Sequence, residues 1–375
     1  WRYPNQTRVI TALAGGTGRK ETRWGSGDLE ASLGVDVGSF RIEQFETPSY
    51  TSVIEEEEGD DRTISLRVLG THSIAERADL RTALTYGDIS HTERLASSGA
   101  RDFRQRLWSL GSEVEWRFDD LPGWESLGAT RLNVGLSADG SDTPESGDNP
   151  PLGRLGDWGA RLGVSSLTGG SSTLLHGGIS RRARFPSLRE LYSDALGRFL
   201  PNPDLKPEVL TGIEFGVTWD LQGADIQVVG FHQMLSDGIV RISVDTPDGP
   251  KRQRVNRDGV RSTGLEMVAS GGWRALQYSG DLTLQQAWQI EDGSGGRTRP
   301  EYEPGLVGRF DLATTVPGDL IVSGGYRYVG SQFCLNADSA SMDELDQTHR
   351  FDLQLRRFLA FDGRATLGNM DVLFA

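Results

Sequence analysis

The strongest constraint on the fold is an alternation of apolar and polar residues that recurs along the chain with a period of two. Because successive side chains of a strand point to opposite faces, this pattern predicts strands with one apolar and one polar face. Similar stripes begin near residues 29, 110 and 351. In the clearest example, Ile213, Phe215, Val217, Trp219 and Leu221 alternate with Gly212, Glu214, Gly216, Thr218 and Asp220.

The lengths of the predicted strands and of their connections favour a membrane barrel over a soluble sandwich. Strands of roughly 9 to 14 residues exceed the usual 5 or 6 and suit a membrane crossing, which needs about 9 to 11. Short turns on one side and long loops on the other are typical of outer-membrane barrels. Short turns are predicted at 168–172, 222–224, 271–274, 317–319 and 362–363, and long loops at 48–61, 90–104, 138–156, 184–210, 237–258, 290–304 and 333–347.

Composition excludes several classes of protein. The hydrophobic fraction is 36%, and no segment approaches the roughly 18 consecutive apolar residues of a transmembrane helix. A net charge of -14 argues against a nucleic-acid partner, which needs a basic face. The single cysteine, Cys334, excludes an internal disulfide framework and predicts a free thiol in an outer loop.

Several motifs in the second half of the chain resemble, in order, those of TonB-dependent outer-membrane receptors. The segment 184–192 (Arg-Phe-Pro-Ser-Leu-Arg-Glu-Leu-Tyr) is similar to the family signature Phe-Arg-x-Pro-Ser-x-x-Glu-Leu-Tyr, although Arg precedes Phe here and one residue is missing before Pro. The segment 202–208 matches Asn-Pro-x-Leu-Lys-Pro-Glu. Asn256 followed by Gly264-Leu265-Glu266, and Arg-Tyr-Val-Gly-Ser at 327–331, resemble later elements.

The resemblance implies an all-β fold, a transmembrane antiparallel β-barrel. The family barrel has 22 strands, of which about 16–17 are expected within residues 1–375, read as one partial barrel domain. The family's plug has no room before the first strand, and residues 368–374 resemble an element that normally precedes two more strands. We therefore expect the plug to be absent and the barrel to be truncated at both ends.

The implied function is uptake of a scarce nutrient, such as a ferric siderophore, cobalamin or saccharide, across the outer membrane of a Gram-negative bacterium. The implied partners are outer-membrane lipid, the small nutrient ligand, and a TonB-type energy-coupling protein acting through the missing plug. No enzyme activity, cofactor or metal is expected. Phosphate loops and nucleophile elbows are absent from the sequence, and His232 and His349 are only weak candidates for catalysis.

The candidate site residues fall into two sets. Polar partners of the stripes are expected to face the ligand or, for most of them, the plug: Glu113, Glu115, Arg117, Glu214, Asp220, Arg309, Asp311, Asp352 and Arg356. The family-motif residues are expected to anchor loops more than to touch ligand: Arg184, Phe185, Pro186, Ser187, Glu190, Leu191, Tyr192, Asn202, Pro203, Leu205, Lys206, Pro207, Glu208, Gly264 and Glu266.

Two alternative functions and one open feature accompany this interpretation. A passive porin, usually with 16 or 18 strands, agrees with the strand count but not with the motifs. A soluble β-sandwich or extracellular binding module would need no detergent. The acidic run Glu55–Asp61 is predicted to be a solvated loop, with a hard-cation site as the less favoured alternative.

Overall fold

A computed structural model gives the fold of the chain. It describes residues 1–23, 25–96, 99–119, 123, 126–168, 172–194, 198–247, 249–257, 259–290, 296–318, 320–336, 341–359 and 370–374. Strands dominate these residues, and the one helix, α1 (Leu188–Tyr192), is a short turn within a loop. No helix in the described ranges has the length and apolar character to span a membrane.

The strands follow one another along the chain as the alternation predicts. They are β1 (Arg2–Gly16), β2 (Lys20–Thr22), β3 (Gly25–Phe45), β4 (Val53–Ala75), β5 (Ala78–Leu95), β6 (Gly99–Phe118), β7 (Leu127–Ser146), β8 (Gly153–Thr168), β9 (Thr173–Arg184), β10 (Phe199–Leu200), β11 (Glu208–Leu221), β12 (Ala224–Ser236), β13 (Gly238–Thr246), β14 (Gly249–Arg257), β15 (Val260–Trp273), β16 (Leu276–Ile290), β17 (Arg297–Thr298), β18 (Leu306–Val316), β19 (Leu320–Val329), β20 (Gln332–Leu335), β21 (Met342–Leu345), β22 (Thr348–Leu359) and β23 (Met370–Phe374).

The main sheet is an antiparallel meander in which each long strand pairs with the next long strand in sequence. Within the described residues it has 18 strands, and apart from the short β2 and β17, sixteen strands run from β1 through β3–β9, β11, β12, β15, β16, β18, β19 and β22 to β23. The predicted count of about 16–17 strands in a large antiparallel sheet is therefore confirmed. A single meander of this size also rules out a two-sheet sandwich.

The distribution of side chains is inverted relative to a soluble protein. Large apolar residues on the outer faces of the strands are exposed, for example Leu33 at 45%, Leu110 at 50% and Phe215 at 61%. Many buried residues are instead polar, including Asp79, Gln105 and Glu115. Such an extensive exposed apolar surface needs an apolar solvent, which a lipid bilayer provides.

Aromatic residues mark the two edges of this apolar surface. Near the short turns, Trp116 and Trp273 are exposed, and toward the long connections Tyr86 lies opposite Trp108. Trp108 and Trp116 lie eight residues apart on β6, about 26 Å along the strand, or about 20 Å along the membrane normal at a strand tilt of about 40°, which places both near the edges of an apolar band about 25 Å tall. Trp158 belongs to the same upper row, since it lies opposite Ala138 on β7, two residues from Gly140, which lies opposite Trp108.

Beyond the upper aromatic row, the outer face of β5–β8 becomes charged. Arg106 lies opposite Asp88 on one side and Asp142 on the other, and Arg154 lies opposite Asp142. The Arg104 guanidinium is 2.7 Å from the Asp88 carboxylate. These positions therefore lie outside the hydrocarbon layer.

Strands β3–β8 are longer than the 9 to 14 residues predicted from the sequence, and several of the predicted loops are wrong. Strands β3–β8 have 16 to 23 residues, because the ladders continue well past the aromatic row. The acidic run Glu55–Asp61 lies in β4 and pairs with β3 and β5, so it is not a loop. Residues 90–95 belong to β5 and residues 99–104 to β6, and residues 138–146 belong to β7.

The short turns agree better with the sequence. β11 and β12 are joined at Gln222-Gly223, where Gly223 has a φ of +89°, and a turn at Pro317-Gly318 joins β18 and β19. The turn predicted at 271–274 begins later, since β15 runs to Trp273. The predicted turn at 362–363 lies outside the described residues, as do 169–171 of the turn at 168–172.

Candidate functional site

The concave, polar face of the sheet holds two cavities that contain most of the predicted lumen residues. The first has a volume of about 810 Å³ and is bordered by β4–β9, β11 and β12. The second has a volume of about 800 Å³ and is bordered by β15, β16, β18, β19 and β22. Glu113 and Glu214 line the first, and Arg309, Asp311 and Asp352 line the second.

A row of ion pairs crosses the inner wall of β5, β6 and β8. Glu113 lies 3.8 Å from both Arg81 and Arg161, and Glu115 lies 3.4 Å from Arg81. Arg117 completes the row by pairing with Glu115 and donating a hydrogen bond to Asp79. The three residues predicted on β6 are thus mutually connected, and they form a fixed alternation of charge on the inner wall.

The wall of the second cavity contains separate, more exposed pairs. Arg309 pairs with Asp311 at 2.6 Å, and Asp352 pairs with Arg350 at 3.0 Å. Asp311 and Asp352 both lie opposite Gly325 of β19, so a single strand separates the two pairs. Arg356 lies four residues further along β22, and Asp220 lies exposed at the short-turn end of β11 opposite Asp225, so neither borders a cavity.

The motif loop, residues 184–208, is held at the long-connection end of the sheet by one arginine. Arg184 donates to Glu190 in a bidentate pair at 2.8 and 2.9 Å, and it also donates to Glu208 across the β9–β11 ladder. Ser187 caps α1, with Glu190 closing the reciprocal capping box. Glu208 accepts a second hydrogen bond from the Ile239 amide at 2.6 Å.

The second half of the motif loop is joined to the β13–β14 hairpin. The Asn256 side chain accepts from the Lys206 amide at 2.8 Å and donates to the Lys206 carbonyl at 3.0 Å. Asn202 donates to the Arg254 carbonyl at 2.8 Å, and Phe199-Leu200 pair in parallel with Arg252-Gln253. The prolines Pro203 and Pro207 flank these contacts, where they prevent a longer ladder.

The apolar residues of the motif loop pack against the inner wall of the sheet. Leu188, Leu191, Tyr192 and Leu205 form a buried cluster with Phe103 of β6. Pro186 accepts a hydrogen bond from buried Gln105 at 2.7 Å, and Tyr192 accepts one from the Leu152 amide at 2.8 Å. Phe185 precedes this cluster and is half-buried.

A column of stacked rings extends the cluster across three strands. Tyr192 stacks on Phe103 at 5.9 Å, Phe103 on His91 at 6.0 Å, and His91 on Phe40 at 6.1 Å. The His91 ring is hydrogen-bonded to Asp61 at 2.8 Å. Burial lowers the pKa of His91, but this bond and the charges of Asp61, Glu93 and Glu57 outweigh it and raise the pKa above its usual value.

The remaining motif residues lie on strands. At Gly264, a Cβ would fall 2.4 Å from the Leu284 carbonyl oxygen and 2.7 Å from the Phe231 ring, so only glycine leaves room for that ring. Glu266 lies on the polar face of β15, opposite Val229 and Thr283. In the described part of the chain, the motif residues contact other parts of this protein. A direct contact with ligand remains a prediction.

The weaker candidates lie apart from the cavities. His232 is hydrogen-bonded to Thr263 at 2.7 Å, and His349 to Tyr326 at 2.9 Å, both on exposed strand faces. Cys334 is a free thiol in the β20–β21 hairpin. Among the described residues, no three His, Cys, Asp or Glu side chains are grouped as a metal ion would require.

Sequence patterns missed the residues that receive the motif loop. Phe103 faces the interior within the predicted loop 90–104, and Gln105 follows directly after it, so their alternation was overlooked. The period of two does continue there, since Phe103 and Gln105 are buried while Asp102 is exposed. Counting this alternation through the polar stretch would have revealed the strand.

Comparison with known proteins identifies the sheet. The family model described as "TonB dependent receptor-like, beta-barrel" matches residues 3–368. The copper transporter OprC superposes with a TM-score of 0.75 at 19% identity, over 93% of this chain and 57% of OprC. The FrpB iron transporter from Neisseria meningitidis gives 0.71 at 14% identity, over 94% and 57%. The siderophore receptor PirA from Acinetobacter baumannii gives 0.65 at 13%, over 96% and 57%.

The chain thus spans somewhat more than half the length of these solved structures, and at such identities the likeness concerns the fold. A comparison with curated protein sequences gave no match. The family assignment rests on the family model, which covers nearly the whole chain. The chain belongs to the TonB-dependent receptor family, and residues 3–368 match the β-barrel of that family.

Proposed function

We propose that this chain is the membrane wall of a receptor that imports a scarce nutrient across the outer membrane of a Gram-negative bacterium. The proposal is supported by the match to the family's β-barrel model, together with the charged inner wall of β5, β6 and β8 and the anchored motif loop at the long-connection end of the sheet. Solute would meet the loops first and then the ion-paired wall of Glu113, Glu115 and Arg117. No covalent step is required.

The names of the neighbouring structures make a metal ion or a small metal chelate the first class of nutrient to test. These structures include a copper transporter, an iron transporter and siderophore receptors. We therefore place a metal ion or its chelate ahead of cobalamin or a saccharide. Import would require a TonB-type protein acting through a plug segment of the whole receptor.

Uptake by cells that express the whole receptor tests this function against the passive porin. Cells are starved of iron or copper, and accumulation of labelled ferric chelates and copper is measured with and without a protonophore. Receptor-dependent uptake that stops with the protonophore supports energised import. Uptake of small solutes at an unchanged rate after protonophore addition would indicate a porin instead.

A variant pair tests whether the inner wall takes part. Glu113→Gln removes a charge from the ion-paired row, whereas Glu76→Gln changes an exposed carboxylate in the turn after β4. We expect Glu113→Gln to lower the uptake rate and Glu76→Gln to leave it unchanged, at equal amounts of receptor in the membrane. Equal rates in both variants would remove Glu113 from the transport path.

A further inference from the structure

Three arginines from separate elements meet where the motif loop joins the β13–β14 hairpin. Arg241 of β13 and Arg254 of β14 lie directly opposite each other in the antiparallel ladder. The Arg254 guanidinium donates to the Arg189 carbonyl of α1 at 2.8 Å and lies 4.6 Å from the centre of the Phe199 ring. The ladder register and the hydrogen bond to the Arg189 backbone therefore bring these three arginine residues close together, with the Arg254 side chain held against the Phe199 ring.

This arrangement is electrostatically unfavourable in the protein alone. Like charges directly opposite on paired strands destabilise a sheet. Burial lowers the pKa of Arg254, and the positive charges of Arg189 and Arg241 lower it further, against a smaller opposing effect of Glu190. Glu190 is itself occupied, since it pairs with Arg184 and closes the helix cap.

No carboxylate neutralises the three arginines within the described part of the chain. None of them has an acidic group within ion-pair distance there, although the chain as a whole carries a net charge of -14. The acid on the same face of the hairpin is Asp245, which lies opposite Pro250 and four residues from Arg241. The cluster is thus a local excess of positive charge in an acidic protein.

We propose that Arg189, Arg241 and Arg254 bind a small polyanionic solute that presents carboxylate or phosphate oxygens. Guanidinium groups match such oxyanions with paired, charge-assisted hydrogen bonds, and a bound anion would relieve the repulsion among the three cations. This inference rests on the proposed function, because it assigns the imported nutrient an anionic form. It predicts that the receptor selects anionic complexes over neutral or cationic ones.

Binding of defined probes to the purified whole receptor in neutral detergent tests the site. Citrate and pyrophosphate serve as polyanions, with glucose and spermidine as neutral and cationic probes, and calorimetry measures affinity. We expect the polyanions alone to bind, and Arg241→Gln and Arg254→Gln each to weaken binding by about tenfold. Arg274→Gln is the control, since Arg274 is an exposed arginine at the short turn after β15.

A structural readout separates a binding site from a merely structural cluster. Because Arg241→Gln removes repulsion, hydrogen exchange across 238–257 should slow in that variant without anion, and citrate should slow it in the wild type only. Faster exchange in Arg241→Gln, with citrate affinity unchanged, would overturn the proposal. Equal binding of all four probes would overturn it as well.

Two further comparisons are needed. One distinguishes a soluble anion from a lipid headgroup as the ligand, and the other distinguishes failure of this inference from failure of the proposed transport function. If vesicles containing phosphatidylglycerol bind the cluster while citrate and pyrophosphate do not, the ligand is a lipid headgroup and the solute site is wrong. Loss of polyanion binding with energised uptake intact removes only this inference. Polyanion binding without receptor-dependent uptake removes the transport function and leaves the site.

Discussion

Glu93 is a carboxyl group buried on the inner wall of β5, beside a second carboxyl group. It is 3% exposed, and one of its oxygens has no hydrogen-bond partner. Glu57 of β4 is its diagonal neighbour, while Arg101 of β6 lies opposite but pairs with Asp148 and Asp194. Burial, and then the charge of Glu57, raise the pKa of Glu93 to about 7; His91 and Arg101 lower it by less, and Asp194 adds to the rise. Glu93 lies five residues further along β5 than Asp88, whose pairing with Arg106 marks the membrane boundary, so Glu93 is outside the hydrocarbon layer.

The first prediction concerns the pH dependence of this wall. The folded pKa of about 7 is above the ordinary 4.5, so ionisation of Glu93 is disfavoured in the folded state. The resulting penalty is absent below about pH 4.5, grows as the pH rises to 7 and is then complete. After correction for intrinsic exchange rates, hydrogen exchange in 188–205 should therefore be faster at pH 8 than at pH 6.

Glu93→Gln is the matching variant, since it retains the shape and removes the charge. We expect its corrected exchange rates to be nearly equal at the two pH values and close to those of the wild type at low pH. Glu145→Gln serves as a control because Glu145 is an exposed residue near the end of β7. An unchanged pH dependence in Glu93→Gln would assign the effect to another group, His91 first.

At the scale of elements, the motif loop is a separately anchored unit, and this leads to the second prediction. Leu191 is fully buried against the inner wall. Leu191→Ala removes that packing, at a cost of about 2–5 kcal/mol for a buried leucine. Exchange in 188–205 should accelerate strongly while the strands β3–β8 stay protected. Asp204→Ala, at an exposed position of the same loop, should leave the loop protected. Uniform acceleration throughout the sheet would show that the loop and the sheet unfold together.

The third prediction tests which way the strands face. Leu110 lies on the outer face of β6 within the apolar band, and its neighbour Ser109 lies on the inner face. Leu110→Arg should destabilise the membrane-inserted chain by about 2–4 kcal/mol, because it places a charge in hydrocarbon. Ser109→Arg should cost much less, since its side chain enters the polar interior. Urea unfolding in lipid vesicles measures both, and equal losses would contradict the assigned faces.

The sequence predicted these faces well and the limits of the strands poorly, for a physical reason. Within the bilayer the outer face must be apolar, so alternation is easily seen, as in Ile213 to Leu221. Above the bilayer both faces are polar, as where Arg104 and Arg106 face outward and Gln105 faces inward, so the signal disappears although the ladder continues. The anchoring of Arg184 and Glu208 followed from the motif, but the facing arginines of the β13–β14 hairpin depend on a register that no local pattern gives.

At the scale of the whole molecule, the aromatic rows fix the depth of the chain in lipid, and the fourth prediction uses this. Trp108 and Trp158 lie in the upper row and Trp116 and Trp273 in the lower, all exposed on the outer face. Lipids brominated near the headgroup should quench tryptophan fluorescence more than lipids brominated near the chain end. Stronger quenching by the deep bromines, or a chain that stays soluble without detergent, would contradict the membrane barrel.

The alternation of apolar and polar residues also bears on how such a chain reaches its membrane. In an unfolded strand the apolar side chains are interleaved with polar ones, so no segment is apolar enough to be retained by a membrane that the chain crosses on the way. A continuous apolar surface forms only when neighbouring strands pair, because pairing places their apolar side chains together on one face of the sheet. Affinity for lipid is therefore a property that the chain acquires by folding, and a chaperone that delays strand pairing would also delay its attachment to any bilayer.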